Sequence, residues 1–224
     1  MLRKENLEIK AIIFDLDNLL IDSYKDHFES FYYVLKKRGF KIKKEDVFRK
    51  FGVSAFELVR GLIPKIKNNE IKKIVQEKEE EYRKILRKRG VKIFSGVKEL
   101  LDFLKKKKIK LIISSSASEE NISLILKKSF LGKYFKKFVA SEHTKKHKPN
   151  PEPLIKAAKI IRISPKNCIY VGDSIYEMIA AKRAKMFSVA ILSGSYSRKE
   201  LKKAGANLIF KDIKEFKKFL EKIL

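Results

Sequence analysis

The chain has 224 residues, of which 44% are hydrophobic, so it can bury a core of its own, as one large domain or as a domain with a sizeable insertion. The single cysteine, Cys168, excludes an intrachain disulfide framework, and we expect it to be a small buried thiol in a reducing compartment. No apolar run approaches the ~18 residues of a membrane span, so we expect a soluble, cytoplasmic protein that contacts no membrane.

Lysine and arginine together number 54 against 27 acidic residues, which gives a formal net charge of +27. Such a charge attracts nucleic acids and anionic metabolites. The lysines, however, are spread over nearly every helical pattern, and no basic patch carries the interleaved aromatic residues of a base-stacking platform. We therefore expect a solvated lysine-rich surface, of the kind common in hyperthermophile proteins, and do not expect nucleic acid as a partner.

The first predicted strand is "AIIF" at residues 11–14, a short apolar run that is followed at once by Asp15 and Asp17. Four helical patterns come next with no strand between them, punctuated by "RGF", "FGVS" and "IPK". They cover Tyr24–Arg38, Lys44–Lys50, Ala55–Leu62 and Asn68–Arg89. A helical block between the first strand and the rest of a sheet indicates an inserted domain, which we place at residues 23–92.

Beyond residue 92, short β-branched strands alternate with helices. The predicted strands are Ile109–Ser114, Lys136–Ser141, Cys168–Asp173, Phe187–Leu192 and Asn207–Phe210. The predicted helices are Gly96–Lys107, Ser118–Lys128, Pro151–Ile161, Ile175–Ala184, Lys199–Lys203 and Asp212–Ile223. Such alternation implies crossover connections and a parallel sheet. The fold class is therefore α/β, a Rossmann-like parallel sheet core of residues 1–22 and 93–224 with an inserted all-helical domain.

Polar residues follow the predicted strands at the point where each strand ends. Asp15 and Asp17 follow the first strand, the serine run at residues 114–118 follows the second, and "GDSIYE" with Asp173 and Glu177 follows a later one. Lys148, in "HKPNPEP", lies between the third strand and the next helix. Ligands bind beyond the carboxyl ends of strands in an open parallel sheet, so these groups should converge. Carboxylate oxygens suit Mg²⁺, and a lysine beside serines suits a phosphoryl group.

Taken in this order, the four segments resemble the motifs of the haloacid dehalogenase superfamily of phosphotransferases. "DLDNLLIDS" resembles D-x-D-G-[TV]-L-x-D-S, "IISSSAS" the strand that ends in Ser or Thr, "KPNPEP" the motif K-P-x-P-[DE]-P, and "VGDSIYE" the motif G-D-S-x-x-D. The resemblance covers essentially the whole chain, and its nearest group by pattern is that of phosphoglycolate phosphatase and β-phosphoglucomutase. It implies that residues 23–92 form a helical cap domain.

The resemblance also implies the catalytic roles. Asp15 would be the nucleophile that forms an aspartyl phosphate, and a carboxylate is a competent acceptor for a phosphoryl group. Asp17 would protonate the leaving oxygen and then deprotonate the hydrolytic water, a contribution of about 10²–10⁴-fold for a general acid–base.

Ligand-binding roles follow from the same resemblance. Ser114, with Ser115 close behind it, would hold phosphate oxygens, and Lys148 would balance charge between the phosphate and Asp15. The implied cofactor is Mg²⁺, held by Asp15, by the backbone carbonyl of Asp17 and by Asp173. Metal and lysine would together neutralise the phosphoryl oxygens.

Three positions depart from the family pattern or leave its interpretation open. Asn18-Leu19 replaces the usual Gly-Thr or Gly-Val, so Asn18 must accept a turn that glycine often fills. Glu177 stands where aspartate is usual and would support the metal through water or through a neighbour. His27 is either a cap-hinge histidine, as in several sugar-phosphate members of the family, or a residue on a helix surface.

The resemblance implies a Mg²⁺-dependent phosphatase that hydrolyses a small phosphorylated metabolite. A sugar phosphomutase of the β-phosphoglucomutase type is the alternative, because it would use Asp15 and Asp17 in the same way. A nucleic-acid-binding protein on an inactive scaffold of this family is a third reading, motivated only by the charge. The sequence identifies no substrate, with Arg60 and Lys65 of the cap as guesses for its selection, and leaves monomer and homodimer open.

Overall fold

The structure is a computed structural model that describes residues 8–48, 50 and 52–224. The described strands are β1 (Ala11–Phe14), β2 (Lys110–Ser114), β3 (Phe138–Val139), β4 (Cys168–Gly172), β5 (Phe187–Ile191) and β6 (Leu208–Phe210). They form one six-stranded sheet in the order β3-β2-β1-β4-β5-β6, and every neighbouring pair is parallel. The first strand therefore lies inside the sheet, between β2 and β4.

Helices cover both faces of the sheet. The helices of the core are α5 (Val97–Lys106), α6 (Glu119–Lys128), α7 (Glu152–Ile160), α8 (Ile175–Arg183), α9 (Arg198–Ala204) and α10 (Ile213–Ile223). Side chains along β1 alternate between the two faces, so each face packs against different helices. Ile12 and Phe14 belong to one apolar cluster with α5 and α10, whereas Ala11 and Ile13 belong to another with α7 and α8. None of the described helices is long and apolar enough to cross a membrane.

The segment between β1 and α5 contains helices and no described strand. It comprises α1 (Tyr24–Lys37), α2 (Lys44–Phe48), α3 (Ala55–Leu62) and α4 (Asn68–Arg89). These helices enclose a separate apolar cluster, whose buried members are Phe31, Val34, Leu35, Val47, Leu58, Val59, Ile71 and Ile74. The C-terminal part of α4 differs, since Tyr82 and Leu86 pack in the apolar cluster of Ile12 and Phe14, which we call the sheet-side cluster. We refer to this segment as the cap; its bounds at residues 23 and 92 stay a prediction.

The cap and the core are joined by two adjacent chain segments. The backbone nitrogen of Asp22 donates to the carbonyl of Lys92 at 2.8 Å, and that of Phe94 donates to Leu20 at 3.1 Å. The chain segments that enter and leave the cap therefore pair with each other at its base.

The α/β fold class is confirmed, and most element ends fall within one residue of their predicted places. The third strand is the exception, because only Phe138–Val139 pair with β2, and Ser141 begins a 3₁₀ turn. The prediction of a helix through Lys50 is not met, since α2 ends at Phe48; position 49 lies outside the described residues. Cys168 is buried, as predicted, and burial raises the pKa of its thiol to about 11.

Candidate active site

Asp15 lies directly beyond β1 and is held there by a buried lysine. The Nζ atom of Lys148 donates to Asp15 Oδ1 at 2.7 Å and to Glu177 Oε1, also at 2.7 Å. All three residues are at least 95% buried. The ammonium of Lys148 therefore bridges two carboxylates that come from opposite ends of the sequence.

Glu177 is fixed by its position in the first turn of α8. Its Oε2 accepts hydrogen bonds from the backbone nitrogens of Asp173 and Ser174, at 2.9 and 3.1 Å, and its Oε1 accepts one from Tyr170 at 3.1 Å. A glycine is needed at position 172, because a Cβ there would lie 2.3 Å from Glu177 Oε2. Glu177 thus orders the turn that carries Asp173 as well as the lysine that holds Asp15.

The electrostatics of this cluster favour a bound cation. Burial, together with the neighbouring charge of Glu177, raises the pKa of Asp15 and that of Asp173 well above their usual range. Although burial alone would raise the pKa of Glu177, the ammonium of Lys148 lowers it. Burial would likewise lower the pKa of Lys148, but Asp15 and Glu177 raise it. Three carboxylates against one ammonium leave two negative charges, which one Mg²⁺ would neutralise.

The donor atoms fit a hard divalent cation. One carboxylate oxygen from each of Asp15, Asp173 and Glu177 lies within 4.8 Å of the others, and the three residues are buried. The set consists of oxygen ligands alone, as Mg²⁺ prefers. Gly194 closes over it, since a Cβ at this position would lie 2.0 Å from Asp173 Oδ2. The side chain of Asp17 is not part of this group, which leaves its backbone carbonyl as its predicted ligand atom.

Asp17 faces the cap. Ser23 Oγ donates to Asp17 Oδ1 at 2.7 Å, and His27 Nε2 lies 3.0 Å from the same oxygen. On its other side His27 Nδ1 lies 2.8 Å from the Nζ atom of Lys78, which can only donate. The single proton of a neutral ring must then lie on Nε2, which donates to Asp17. Burial alone would raise the pKa of Asp17, but His27 and Ser23 lower it.

Aromatic rings surround the His27–Lys78 pair. The ring of Tyr82 stacks on His27 with centroids 3.9 Å apart, and Lys78 Nζ lies 4.8 Å from the ring centre of Phe31. Lys78 is 2% exposed and also pairs with Glu79 at 3.1 Å. His27 is therefore a buried residue at the base of the cap and not a residue on a helix surface.

A cleft lies between these two groups. Asp15, Asp17, His27 and Lys78 line it, as do two serines of the run after β2, Ser115 and Ser116. Ser114 does not line it: that residue is fully buried, and its Oγ has no hydrogen-bond partner among the described residues. Of the two serines considered for phosphate binding, the geometry favours Ser115, whose Oγ accepts from Ala117 N at 3.1 Å.

Comparison with known proteins gives the family. The family described as "Haloacid dehalogenase-like hydrolase" matches residues 12–191, which is most of the chain. The chain is a haloacid dehalogenase-like hydrolase. The resemblance found in the four motifs is thereby confirmed, and membership in this family of hydrolases supports a phosphatase activity.

Individual members of the family align over most of their length. The chain is 32% identical over 216 residues, 96% of each protein, to the "Putative pyrophosphatase PpaX" of Caldanaerobacter subterraneus subsp. tengcongensis. It is 26% identical over 192 residues, 83% of this chain and 84% of the relative, to the "Beta-phosphoglucomutase" of Bacillus subtilis. The crystal structure of β-phosphoglucomutase from Clostridium difficile superposes with a TM-score of 0.84 at 26% identity, covering 96% of this chain and 97% of that one.

Two departures from the family pattern have a structural explanation. Asn18 adopts the left-handed conformation, with φ of 55°, so it fills the turn that glycine often takes. Leu19, in place of a hydroxyl-bearing or smaller residue, is fully buried in the sheet-side apolar cluster. Both residues keep the first motif folded without adding a polar group to the cleft.

Sequence reasoning missed Lys78 and Glu79, which line the cleft from α4. Both lie in the charged run "KEEEYRK", which is typical of a solvated helix surface. A signal was present, since Lys78 falls on the apolar face with Ile71, Ile74 and Tyr82 at helical spacing. Arg60 and Lys65, the guesses for substrate selection, are not among the described residues that line this cleft, and Arg60 lies over the ring of Phe56.

Proposed function

We propose that the chain is a Mg²⁺-dependent phosphatase that hydrolyses a small phosphorylated metabolite through an aspartyl phosphate on Asp15. The observation that carries the proposal is the placement of Asp15, between a buried lysine, two further carboxylates and a cleft lined by serine hydroxyls. This arrangement offers a nucleophile, a cation site and phosphate donors within one cleft.

Asp15 would attack phosphorus through Oδ2, because Lys148 already engages Oδ1. The new bond joins carboxylate oxygen to phosphorus, and the bond from phosphorus to the leaving oxygen breaks. Lys148 would restrain the carboxylate and offset charge on the phosphoryl oxygens, and Ser115 would donate to one of them. A bound Mg²⁺ would supply the remaining positive charge, held by Asp15, Asp173 and the carbonyl of Asp17, with Glu177 in support.

Asp17 would supply the proton to the leaving oxygen and then remove one from the water that hydrolyses the acyl phosphate. The low pKa given by His27 and Ser23 favours the carboxylate, which is the form needed for the second step. A phosphate dianion bound beside Asp17 raises that pKa and so favours the protonated form needed for the first step.

Phosphate release from p-nitrophenyl phosphate tests the proposal, with Mg²⁺ or with a chelator. We expect turnover that depends on Mg²⁺ and is restored when the metal is added back. Full activity in the chelator would refute the metal assignment. Absence of phosphate release from the aryl ester and from a panel of metabolites would refute the phosphatase.

A phosphomutase is the second candidate, and one observation favours it. Asp17 is held by His27 of the cap, which Lys78 of the cap positions in turn, so the acid is fully positioned only when the cap lies against the core. Such an arrangement suits an enzyme that must keep water from its phosphoenzyme, and a relative is named β-phosphoglucomutase. Conversion of glucose 1-phosphate to glucose 6-phosphate, dependent on a sugar bisphosphate, would identify it; phosphate release without isomerisation would favour the phosphatase.

A further inference from the structure

A second cavity opens beside the cleft, between helix α3 and two loops of the core near residues 116–118 and 141–147. Its volume is about 420 Å³, against about 60 Å³ for the cleft at the carboxylates. Ala55, Glu79 and Ser116 line both cavities, so the two spaces lie side by side. We name it the hydroxyl groove, after the side chains on its walls: Ser54, Ser116, Ser118, Ser141 and Thr144.

The difference in size assigns different parts of a substrate to the two spaces. The cleft holds the groups that act on a phosphoryl group, and little room remains there for anything else. On the basis of the phosphatase proposed above, we propose that the hydroxyl groove binds the rest of the substrate, and that this part is a neutral polyhydroxylated carbon chain. Phosphate esters with a second anionic group would be poor substrates.

The hydroxyls of the groove have hydrogen-bonding capacity to spare. Ser54 Oγ accepts from the backbone nitrogen of Glu57 at 3.2 Å, and Ser118 Oγ accepts from that of Asn121 at 3.3 Å. Each serine caps a helix through a lone pair and keeps its own proton for a further partner. Thr144 Oγ1 is buried with no partner in the part of the chain that the structure describes. A buried unpaired hydroxyl is costly, so a ligand hydroxyl would be favoured there.

The charges that face the groove are negative. The carboxylates of Glu79 and Glu142 line it, and no lysine or arginine among the described residues does. Glu79 Oε2 accepts from Asn121 at 2.5 Å, and Glu142 Oε2 accepts from Ser141 Oγ at 2.9 Å. Glu79 is already paired with Lys78, and the imidazole of His147 also lines the groove, but Glu142 forms no ion pair with a lysine or arginine in the described part of the chain. A carboxylate or second phosphate placed beside Glu142 would therefore meet like charge. A hydroxyl would instead donate to these carboxylates and accept from the serines, which favours a neutral polyol.

Matched pairs of esters test this preference on the unmodified protein. The first pair is sn-glycerol 3-phosphate and 3-phosphoglycerate, and the second is glucose 6-phosphate and 6-phosphogluconate. Within each pair the carbon chain has the same length and one member carries an added carboxylate. We expect kcat/KM to favour the neutral member of at least one pair by about tenfold or more, the size of effect that one unfavourable polar contact produces.

Two variants locate the effect in the groove. Glu142→Lys should raise kcat/KM for the acidic member relative to the neutral one by about tenfold, since it replaces repulsion with attraction. Glu221→Lys, on the exposed face of α10, makes the same change in net charge far from the groove and should leave the ratio unchanged. Thr144→Val should lower kcat/KM for the preferred neutral ester by about tenfold. Glu221→Lys should also hydrolyse p-nitrophenyl phosphate as the unmodified protein does, and circular dichroism should show that all three variants are folded.

The outcomes separate this inference from the proposed function. If the aryl ester is hydrolysed but neither neutral ester is preferred over its acidic partner, the phosphatase stands and the inference is overturned. Equal changes in Glu142→Lys and Glu221→Lys would also overturn it, because the effect would then come from the overall field. No hydrolysis of the aryl ester or of any of the four metabolites would overturn the phosphatase, and the inference with it.

Discussion

On the sheet side of the cleft, the charged side chains come from separate chain segments that a parallel sheet brings to one edge, whereas on the cap side they come from two helices packed together. The sheet side combines Asp15, Lys148, Asp173 and Glu177, and its carboxylates repel one another. The cap side pairs each group with a partner, from His27 through Lys78 to Glu79. Asp17 lies on the boundary, and the hydrogen-bond partners of its side chain among the described residues are Ser23 and His27, both on the cap side.

This difference indicates that the two sides of the cleft have different roles in the reaction. Carboxylates that are held close together repel one another and therefore favour a bound cation, and a cation at this place can take part in phosphoryl transfer. A network that is already paired has no such need, so its role is to hold Asp17 in place. Substitutions on the sheet side should therefore remove the reaction, and substitutions on the cap side should only weaken it.

The largest effect is expected at the sheet side. Asp15→Asn should lower kcat by about 10⁴-fold or more, because no other group would form the covalent intermediate. Phosphate release under saturating substrate measures it, with circular dichroism to confirm the fold. Asp102→Asn, an exposed carboxylate on α5, is the matched control and should keep full activity. Similar rates for the two variants would remove Asp15 from the mechanism.

A smaller loss is expected at the boundary. Asp17→Asn should lower kcat by about 10²–10⁴-fold, because it removes the acid–base and leaves the nucleophile. The hydrolysis of the aspartyl phosphate should slow as well, so the phosphorylated enzyme should accumulate. Mass spectrometry after brief exposure to substrate would show one added phosphoryl group in Asp17→Asn and none in Asp15→Asn. A slow Asp17→Asn enzyme that never carries the group would contradict a role in hydrolysis.

The cap side should give a weaker and different effect. His27→Ala removes the group that does most to lower the pKa of Asp17, so this pKa should rise from its lowered value. Because the second step needs the carboxylate, the acid limb of the pH profile of kcat should move to higher pH. At neutral pH we expect kcat to fall by about tenfold, from poorer positioning of Asp17.

His143→Ala is the control for this experiment, since it removes an imidazole that pairs with Glu119 away from the cleft. Its pH profile should match that of the unmodified protein. An unshifted acid limb in His27→Ala would mean that the imidazole does not control the ionisation of Asp17.

The same contrast explains what the sequence could predict. The convergence of Asp15, Asp173 and Lys148 could be predicted from sequence, because two of them follow strands, the third lies in a proline-rich loop after a strand, and strand ends share an edge in a parallel sheet. Lys78 was not found, because its partner His27 lies 51 positions away on another helix. Their meeting depends on how α1 packs on α4, and no local pattern records that packing. The sequence also could not decide between Ser114 and Ser115 as the serine that faces the cleft. That choice depends on where β2 ends, and a run of consecutive serines does not indicate the end of the strand.

Stability without metal offers the smallest but most discriminating test. The pKa of Asp173 is raised by burial and by Glu177, so this group stabilises the fold only below its unfolded pKa, and the contribution is lost as the pH rises through the folded value. At pH 7 the metal-free protein therefore carries a cost at Asp173, and Asp173→Asn should raise its stability by on the order of 1 kcal/mol.

Added Mg²⁺ should reverse this order, because ligand binding stabilises the native state of the unmodified protein and Asp173→Asn has lost a ligand. Lys78→Met, on the paired cap side, should lower stability in both conditions, since it removes the donor to His27 Nδ1 and to Glu79 Oε1. Urea unfolding at pH 7, in chelator and in Mg²⁺, measures all three proteins. If Asp173→Asn were less stable than the unmodified protein in chelator as well, the sheet-side carboxylates would not be held against repulsion, and the contrast between the two sides would fail.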